Sequence, residues 1–351
     1  MFSQDVNKFT AIDLFSGVGG LTCGLKKSGY SVLMGVEIDK ETARVYECNH
    51  PEVFIESSDI RNIEVKKVRK SLELKKGELT LLAGCPPCQG FSTLRTNNKA
   101  TSFKDDKNDL IFNFIDWVEE FMPEHVLLEN VPPLIKDERI KKVLARLKSL
   151  GYFIDDFTVR IENVADYSVP QRRKRLVLIC SRIKKTILVE RIKSHKTVRD
   201  AIFHLDIPGI SGDPLHDRSE KRSSLIMERI KSIPHDGGSR DQMPYHLWLD
   251  CHKRYPGGFK DVYGRMKWDT LSPTITGGCV NPSKGRFLHP EQNRAITLRE
   301  AALLQGFPES YNFMNHVAKE KIAQMIGNAV PPVFVQHFAS ALIGGKVDAD
   351  Y

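Results

Sequence analysis

The chain has 351 residues, a formal net charge of +8 and a sequence pI near 9.0. That length supports a full core and roughly two domains of about 150 residues each, and 41% hydrophobic with 27% charged residues is ordinary for a soluble globular protein, with disorder expected only at the two ends. The basic balance favours a polyanionic partner, nucleic acid first, with a basic enzyme of solvated surface as the plainer alternative.

The first half alternates short apolar runs with amphipathic stretches. Phe9–Phe15 reads as a buried strand, "LTCGLKKSG" as a short helix stopped by Gly29, Ser31–Ile38 as a second strand and "KETARVYECNH" as a second helix. Leu79–Gly84 is the next strand, and Asn108–Met122 carries apolar residues at helical spacing. "HVLLENV" is a strand, "IKDERIKKVLARLKSLG" a helix ending at Gly151, and Arg175–Cys180 a late strand. Apolar runs with few polar breaks suit strands buried on both faces, and strand–helix alternation predicts an α/β fold with a parallel, doubly wound sheet. The rhythm stops near residue 185. From there to about residue 290 the chain is rich in Lys, Arg, His, Gly, Pro and Ser, which predicts a smaller, irregular, β-leaning domain. Helical patterning returns in "TLREAALLQGF", where Thr297 and Glu300 form a capping-box pattern and Gly306 can close the helix. "KEKIAQMIGN" and "PPVFVQHFASALIGG" read as two more helices, the second with Pro at its start.

Seven cysteines at irregular spacing do not read as a disulfide framework. The start of the chain has no basic segment followed by an apolar one, and no window approaches about 18 consecutive apolar residues. A reducing cytoplasm and no membrane span are therefore expected.

"DLFSGVGG" (Asp13–Gly20) lies where the first strand meets the first helix. Gly17, Gly19 and Gly20 let a ligand approach the backbone. Glu37, at the end of the second strand, is placed to accept hydrogen bonds from ribose hydroxyls, and Asp59 to reach an adenine amino group. The pattern G-x-G-G, without a P-loop lysine, favours an adenosyl cofactor lacking pyrophosphate, such as S-adenosylmethionine, over a dinucleotide. A glycine-rich turn that binds nothing is the alternative.

In "GCPPCQGFS", Cys85 and Cys88 flank two prolines. A redox dithiol would open a helix in a small βαβ domain, but a long polar loop follows instead. A structural zinc site needs four ligands, and there is no second C-x-x-C. The third reading is one nucleophilic thiolate, Cys88, stiffened by Pro86 and Pro87, with Ser92, Arg95, Asn97, Asn98 and Lys99 on a lid suited to an anionic substrate.

"PPCQGFS", together with the motifs around it, resembles the DNA cytosine-5 methyltransferases of the prokaryotic restriction–modification type, and the resemblance covers almost the whole chain. The likeness of "DLFSGVGG" to the family's cofactor motif implies that Phe15 stacks on adenine and that Ser16, Gly17, Gly19 and Gly20 line the cofactor. It extends that set to Glu37 with Ile38, Asp59 with Ile60, Pro87, Leu110 and, from "GNAVPP", Asn328 with Ala329. "GCPPCQGFS" implies Cys88 as nucleophile, and "ENV" implies Glu129 as the catalytic carboxyl. "QRRKR" is similar to the family's Q-x-R-x-R and gives Gln171, Arg173 and Arg175, the two arginines as catalytic groups. "RAITLREAALLQGFP" resembles the late structural motif. Gln89, Ser92, Arg95 and Gln171 become the expected DNA contacts. Cys85 stands where the family more often has a small residue or none, and reads as a bystander.

The resemblance implies a Rossmann-like S-adenosylmethionine-dependent methyltransferase domain, S-adenosylhomocysteine as product, no metal, and duplex DNA as partner, bound by a monomer. A cognate restriction endonuclease on the same site is compatible with it. The implied domains are 1–185 for catalysis and cofactor binding, 186–290 for target recognition, and 291–351 completing the first. Carbon 5 of cytosine is a poor nucleophile; a thiolate added at carbon 6 breaks aromaticity and makes it enamine-like. Arg175 and Arg173 would hold the base's carbonyl oxygen, and Glu129 its ring nitrogen 3 and exocyclic amine. The base must first leave the duplex. Three rivals remain: a transfer-RNA methyltransferase of the same fold, whose Cys-Phe-Thr signature is absent, a silent DNA-binding relative, and a dithiol oxidoreductase.

Overall fold

The computed structural model describes residues 9–87, 109–185, 187–218 and 220–345. Cys88, Gln89, Ser92 and Arg95 lie outside the described residues. The chain folds as two compact units: Met1–Val164, Lys174–Arg191 and Val330–Tyr351 form the first, Ala165–Arg173 and Ile192–Ala329 the second.

The first unit is built on seven strands: β1 (Thr10–Leu14), β2 (Ser31–Val36), β3 (Phe54–Glu56), β4 (Leu81–Gly84), β5 (His125–Asn130), β6 (Val159–Asn163) and β7 (Lys174–Ser181), in the order β3-β2-β1-β4-β5-β7-β6. β1 to β5 pair in parallel, as the alternation predicts. The late strand departs from that expectation: β7 inserts between β5 and β6, antiparallel to both. The connection from β6 to β7 holds only a short 3-10 turn, Val164–Tyr167, and a parallel return would need a longer helical crossover.

Side-chain alternation separates the two faces of this sheet. Ile12, Leu14, Met34, Val36, Leu82, Val126, Leu128, Leu176 and Leu178 share one cluster with Phe114, Trp117 and Leu147. Those last residues come from α4 (Leu110–Phe121) and α5 (Glu138–Ser149), after α1 (Gly20–Lys27), α2 (Lys40–Asn49) and α3 (Val65–Ser71). Each fully buried Leu, Phe or Trp there contributes about 1.5–3 kcal/mol. Leu127 and Val177 point the other way and line a small apolar cavity with Leu21 of α1 and with Phe334 and Phe338 of a C-terminal helix, Pro332–Ile343. Gly24 shows how close α1 and that helix lie, since a Cβ there would sit 2.4 Å from the Pro332 carbonyl oxygen. The ends follow the local chemistry. Asp39 caps α2 through the Thr42 N–H, Asp137 caps α5 through the Arg139 N–H, and Gly29 and Gly151 turn left-handed just past α1 and α5.

The second unit contains α6 (Val198–Ile202), α7 (Ser224–Ser232), α8 (Asp250–Arg254), α9 (Leu298–Leu304) and α10 (Lys319–Asn328), so the helix Pro332–Ile343 is α11. Its expected β character is confined, among the described residues, to isolated bridges such as Arg265–Leu288 and Leu288–Ala295. Arginines take the place of strand ladders. Arg265 is fully buried and donates to the carbonyls of Ile230, Ile233, His289 and Gln292 and to Asn293 Oδ1. Arg286 donates to the carbonyls of Gly237, Gly238 and Arg265. Segments too rich in Gly and Pro to pair regularly thus have their carbonyls satisfied by guanidinium forks.

Residues 291–329 belong to the second unit, and the chain rejoins the sheet at Val330. Thr297 and Glu300 do form the capping box of α9, whose buried Glu300 is gripped by Arg294, while Thr297 Oγ1 lies 2.8 Å from His216 Nδ1. These partners lie within the second unit and hold α9 there. One described stretch, Lys319–Ile343, is long and apolar enough to cross a membrane, but 83% of its most apolar window is buried and Pro331–Pro332 divides it.

Candidate active site at the carboxyl edge of the sheet

The chain leaves β1 through a strained turn. Phe15 has φ 60°, followed by Gly17 at 55° and Gly19 at 92°. A bulky aromatic in the left-handed region is uncommon and is held here by its neighbours. Ser16 Oγ donates to the Asp13 carbonyl at 2.7 Å and accepts from the Val36 N–H at 2.9 Å, which pins the turn to β2. Gly17 has open space where a Cβ would stand, so its face of the turn is accessible.

Glu37, just past β2, is oriented by two backbone donors: Gly17 N–H to Oε2 at 2.9 Å and Asp39 N–H to Oε1 at 2.8 Å. Beside it Ile38 is 62% exposed, an apolar side chain facing solvent at the sheet's edge. Asp59 is held by the N–H and guanidinium of Arg61, which keep its carboxyl below the usual range. Ile60 next to it is buried. Pro87 is half-buried, and Leu110 opens α4 against the core. In the second unit, Asn328 is exposed and Ala329 half-buried.

Asp13, the first residue of the glycine motif, is fully buried and accepts from Thr22 N–H and Oγ1, and Thr22 Oγ1 lies 2.8 Å from the Tyr46 hydroxyl. Burial raises its carboxyl to about 7 against the pull of the Thr22 bonds, with Glu37 adding to the rise. Between about pH 4 and 7 the folded chain therefore holds a proton that the unfolded chain has lost. Asp13 then costs stability as pH rises through that window, on the order of a few kcal/mol. Denaturant titrations at pH 5 and 8 should show this fall, and Asp13→Asn should flatten it.

The other half of the edge is formed by β4, β5 and β7. Glu129 on β5 and Arg175 on β7 lie on antiparallel neighbours, with Arg175 Nε 2.7 Å from Glu129 Oε1 and side-chain exposures of 15% and 12%. β4 ends at Gly84, and the Cys85 N–H continues its pairing with the Leu14 carbonyl. Asn130, which motif reading passed over in favour of Glu129, donates Nδ2 to the Pro86 carbonyl at 2.9 Å, and its Oδ1 accepts from the Val131 N–H. The segment leading to Cys88 is thus tied to the residue after Glu129. Only "N" within "ENV" hinted at this in the sequence.

Desolvation, with the charges of Glu129 and Asp13, pushes the Cys85 thiol well above the ordinary cysteine range, beyond what Arg175 and the Glu129 backbone offset. Cys85 is therefore a protonated, poorly nucleophilic thiol at neutral pH. Cys85→Ser should retain methyl transfer; loss of activity would favour a dithiol reading. Among the described residues no group of His, Cys, Asp or Glu side chains converges as a metal site.

Two expected functional residues are placed elsewhere. Gln171 stands among protein groups. It is fully buried in the second unit, its Nε2 donating to the Leu304 carbonyl and to Gln305 Oε1 and its Oε1 accepting from the Ile275 N–H. Arg173 is likewise buried, with Nη1 and Nη2 donating to the carbonyls of Ile275, Gly327 and Ala329. Its fork braces backbone of its own unit. A run such as "QRRKR" does not show which of its side chains turn inward.

A glycine-rich turn after β1 and an acidic residue just past β2, at the carboxyl edge of an α/β sheet, make a site of the kind that binds a nucleoside cofactor. Residues 9–344 match the model of the C-5 cytosine-specific DNA methylase family, and the chain belongs to that family, whose members are DNA (cytosine-5-)-methyltransferases. It is 37% identical over 334 residues to the Type II methylase M.HgiDII of Herpetosiphon aurantiacus, covering 91% of each chain. It is 32% identical to the Type II methyltransferase M1.BsuMI of Bacillus subtilis, covering 91% of this chain and 77% of that one. The fold is similar to the solved structure of the Entamoeba histolytica methyltransferase EhMeth, with a TM-score of 0.64 at 17% identity, covering 96% of this chain and 98% of that one.

Proposed function

We propose that this chain methylates carbon 5 of a flipped-out cytosine within a specific duplex DNA sequence, through a covalent bond between Cys88 and carbon 6. The observation that carries the reading is the Glu129–Arg175 pair, set beside the strand end from which the "PPCQ" segment departs and tied to it by Asn130. A carboxyl and a guanidinium on adjacent strands suit the two polar edges of a cytosine, nitrogen 3 with its amine and the carbonyl oxygen.

The residues at the end of β1 and β2 fit S-adenosylmethionine. Gly17 is open, Glu37 is oriented by backbone donors, Ile38 offers an exposed apolar face, and no lysine stands at the start of α1 to bind phosphate. Phe15 would stack on adenine, Glu37 hold the ribose, and Asp59 with Ile60 bind the adenine edge. Ser16, Gly17, Gly19 and Gly20 would pass along the rest. Resemblance alone adds Pro87, Leu110, Asn328 and Ala329. When bound, the cofactor supplies the methyl electrophile.

The Cys88 sulfur bonds to carbon 6, and the displaced ring electrons are accommodated by a proton at nitrogen 3 from Glu129 and by Arg175 at the carbonyl oxygen. After methylation nitrogen 3 returns its proton to Glu129, and loss of the carbon-5 proton and of the Cys88 sulfur restores the ring. Arg173 acts as a positioning residue, bracing the backbone two residues before Arg175. Gln89, Ser92 and Arg95 serve as DNA contacts, and residues 186–290 as the target reader. The Type II names of the relatives support a cognate restriction endonuclease on the same site and residence in a bacterial cytoplasm. The active species is a monomer, which sedimentation on DNA would check.

The test is transfer of labelled methyl from S-adenosylmethionine to unmethylated duplex DNA and, separately, to transfer RNA. Label in DNA as 5-methylcytosine supports the reading, whereas label in transfer RNA alone overturns it.

A further inference from the structure

The second unit presents two large rings to solvent on one short loop. Tyr255 is 75% exposed and Phe259 70% exposed, separated by Pro256, Gly257 and Gly258. Aromatic rings are costly to leave in water, and two of them four positions apart are more than scattered surface apolarity. The loop is also built to hold that shape. Arg240, 2% exposed, donates Nη2 to the carbonyls of both Pro256 and Gly258 at 2.9 Å and lies over the Trp248 ring. Phe259 itself sits at φ 49°, a left-handed conformation unfavourable for a bulky side chain. A buried guanidinium thus clamps the loop from below while a strained backbone lifts a phenyl ring outward.

Charge indicates the occupant. Arg254 and Lys260 flank the two rings and are both exposed. Alongside, Lys253 Nζ lies 5.7 Å from the centroid of the Tyr245 ring, which is itself 65% exposed. Rings flanked by cations suit bases flanked by phosphates in nucleic acid, and the neighbouring Asp250 and Asp261 are paired with Lys253 and Arg286. A purely apolar partner would not call for the cations.

We infer that the 254–260 loop is a DNA-contacting wedge in which Tyr255 and Phe259 stack on bases while Arg254 and Lys260 neutralise phosphates. The inference rests on the proposed DNA methyltransferase activity and adds where on the second unit the duplex is engaged. Apolar wedges of this kind partly unstack a duplex, which would assist removal of the target cytosine.

The test uses the full chain with duplex DNA from cells lacking cytosine methylation, reading KM for DNA, its salt dependence, S-adenosylmethionine affinity and melting temperature. Tyr255→Ala with Phe259→Ala should raise KM for DNA by about 10–100-fold with cofactor affinity unchanged. Phe259→Gly relieves the left-handed backbone, so its melting temperature should not fall, yet its KM should rise. Phe259→Trp should restore binding. Arg254→Ala and Lys260→Ala should each lower the salt slope by about one. Unchanged KM in the double variant, with wild-type chain methylating DNA, overturns the wedge and leaves the activity standing. So does a double variant that loses only self-association. A wild-type chain inactive on DNA overturns the activity and the wedge together.

Discussion

Glu129→Gln lowers the turnover number for methyl transfer by about 10²–10⁴-fold, with S-adenosylmethionine affinity retained. Glutamine keeps the side chain's shape and can still meet the exocyclic amine, but it has no acidic proton for ring nitrogen 3. It also leaves Arg175 without the carboxylate that now lies 2.7 Å from its Nε. Single-turnover transfer at saturating DNA and cofactor separates this loss from weakened binding, since an interaction made only in the transition state lowers kcat and kcat/KM alike. Glutamine is the better replacement because alanine would leave a mostly buried arginine unpaired and add a stability cost. A variant within about tenfold of wild type, below the range of acid–base contributions, would remove Glu129 from the chemistry.

The largest structural effect is expected far from any reacting atom. Arg265→Ala should destabilise the second unit by about 3–5 kcal/mol, because it strips donors from buried carbonyls of Ile230, Ile233, His289 and Gln292 and from Asn293. Arg265→Lys should recover only part of this, since an ammonium does not reproduce a planar fork reaching several segments. Trp248 and Trp268 lie in this unit and Trp117 in the other, so urea titration followed by fluorescence in a Trp117→Phe background reports the second unit directly. A shift under about 1 kcal/mol, the worth of a single ordinary hydrogen bond, would show that the carbonyls find other donors.

Arg265 also marks where sequence reading reaches its limit. The glycine turn of "DLFSGVGG" and the capping box at Thr297 and Glu300 were legible because each acts through local chemistry, a turn that needs glycine and a helix start, whereas Glu129 of "ENV" stood out only through the family resemblance. The parallel strands β1, β2, β4 and β5 were legible because burial on both faces writes itself as apolar runs; the three-residue β3, with Phe54 exposed, was not. The direction of β7 was not, since pairing direction depends on how the preceding chain returns. Buried arginines were the least legible. Arg265 on loop carbonyls and Arg254 in solvent belong to the same basic stretch, and composition treats both as surface charge. The roles expected of Gln171 and Arg173 came from the likeness of "QRRKR" to the family motif, which does not show that both side chains turn inward onto groups of residues 275–329 brought close only by folding.

Methylation mapping tests the central claim most directly. The chain and its Cys88→Ala variant are expressed in cells lacking cytosine methylation, and the DNA is sequenced after bisulfite conversion. Methylcytosine confined to one short motif, and absent with Cys88→Ala, is the predicted result. Methylation that persists in the variant would contradict the covalent mechanism, and its absence with the wild-type chain, soluble and binding S-adenosylmethionine, would contradict DNA as the substrate.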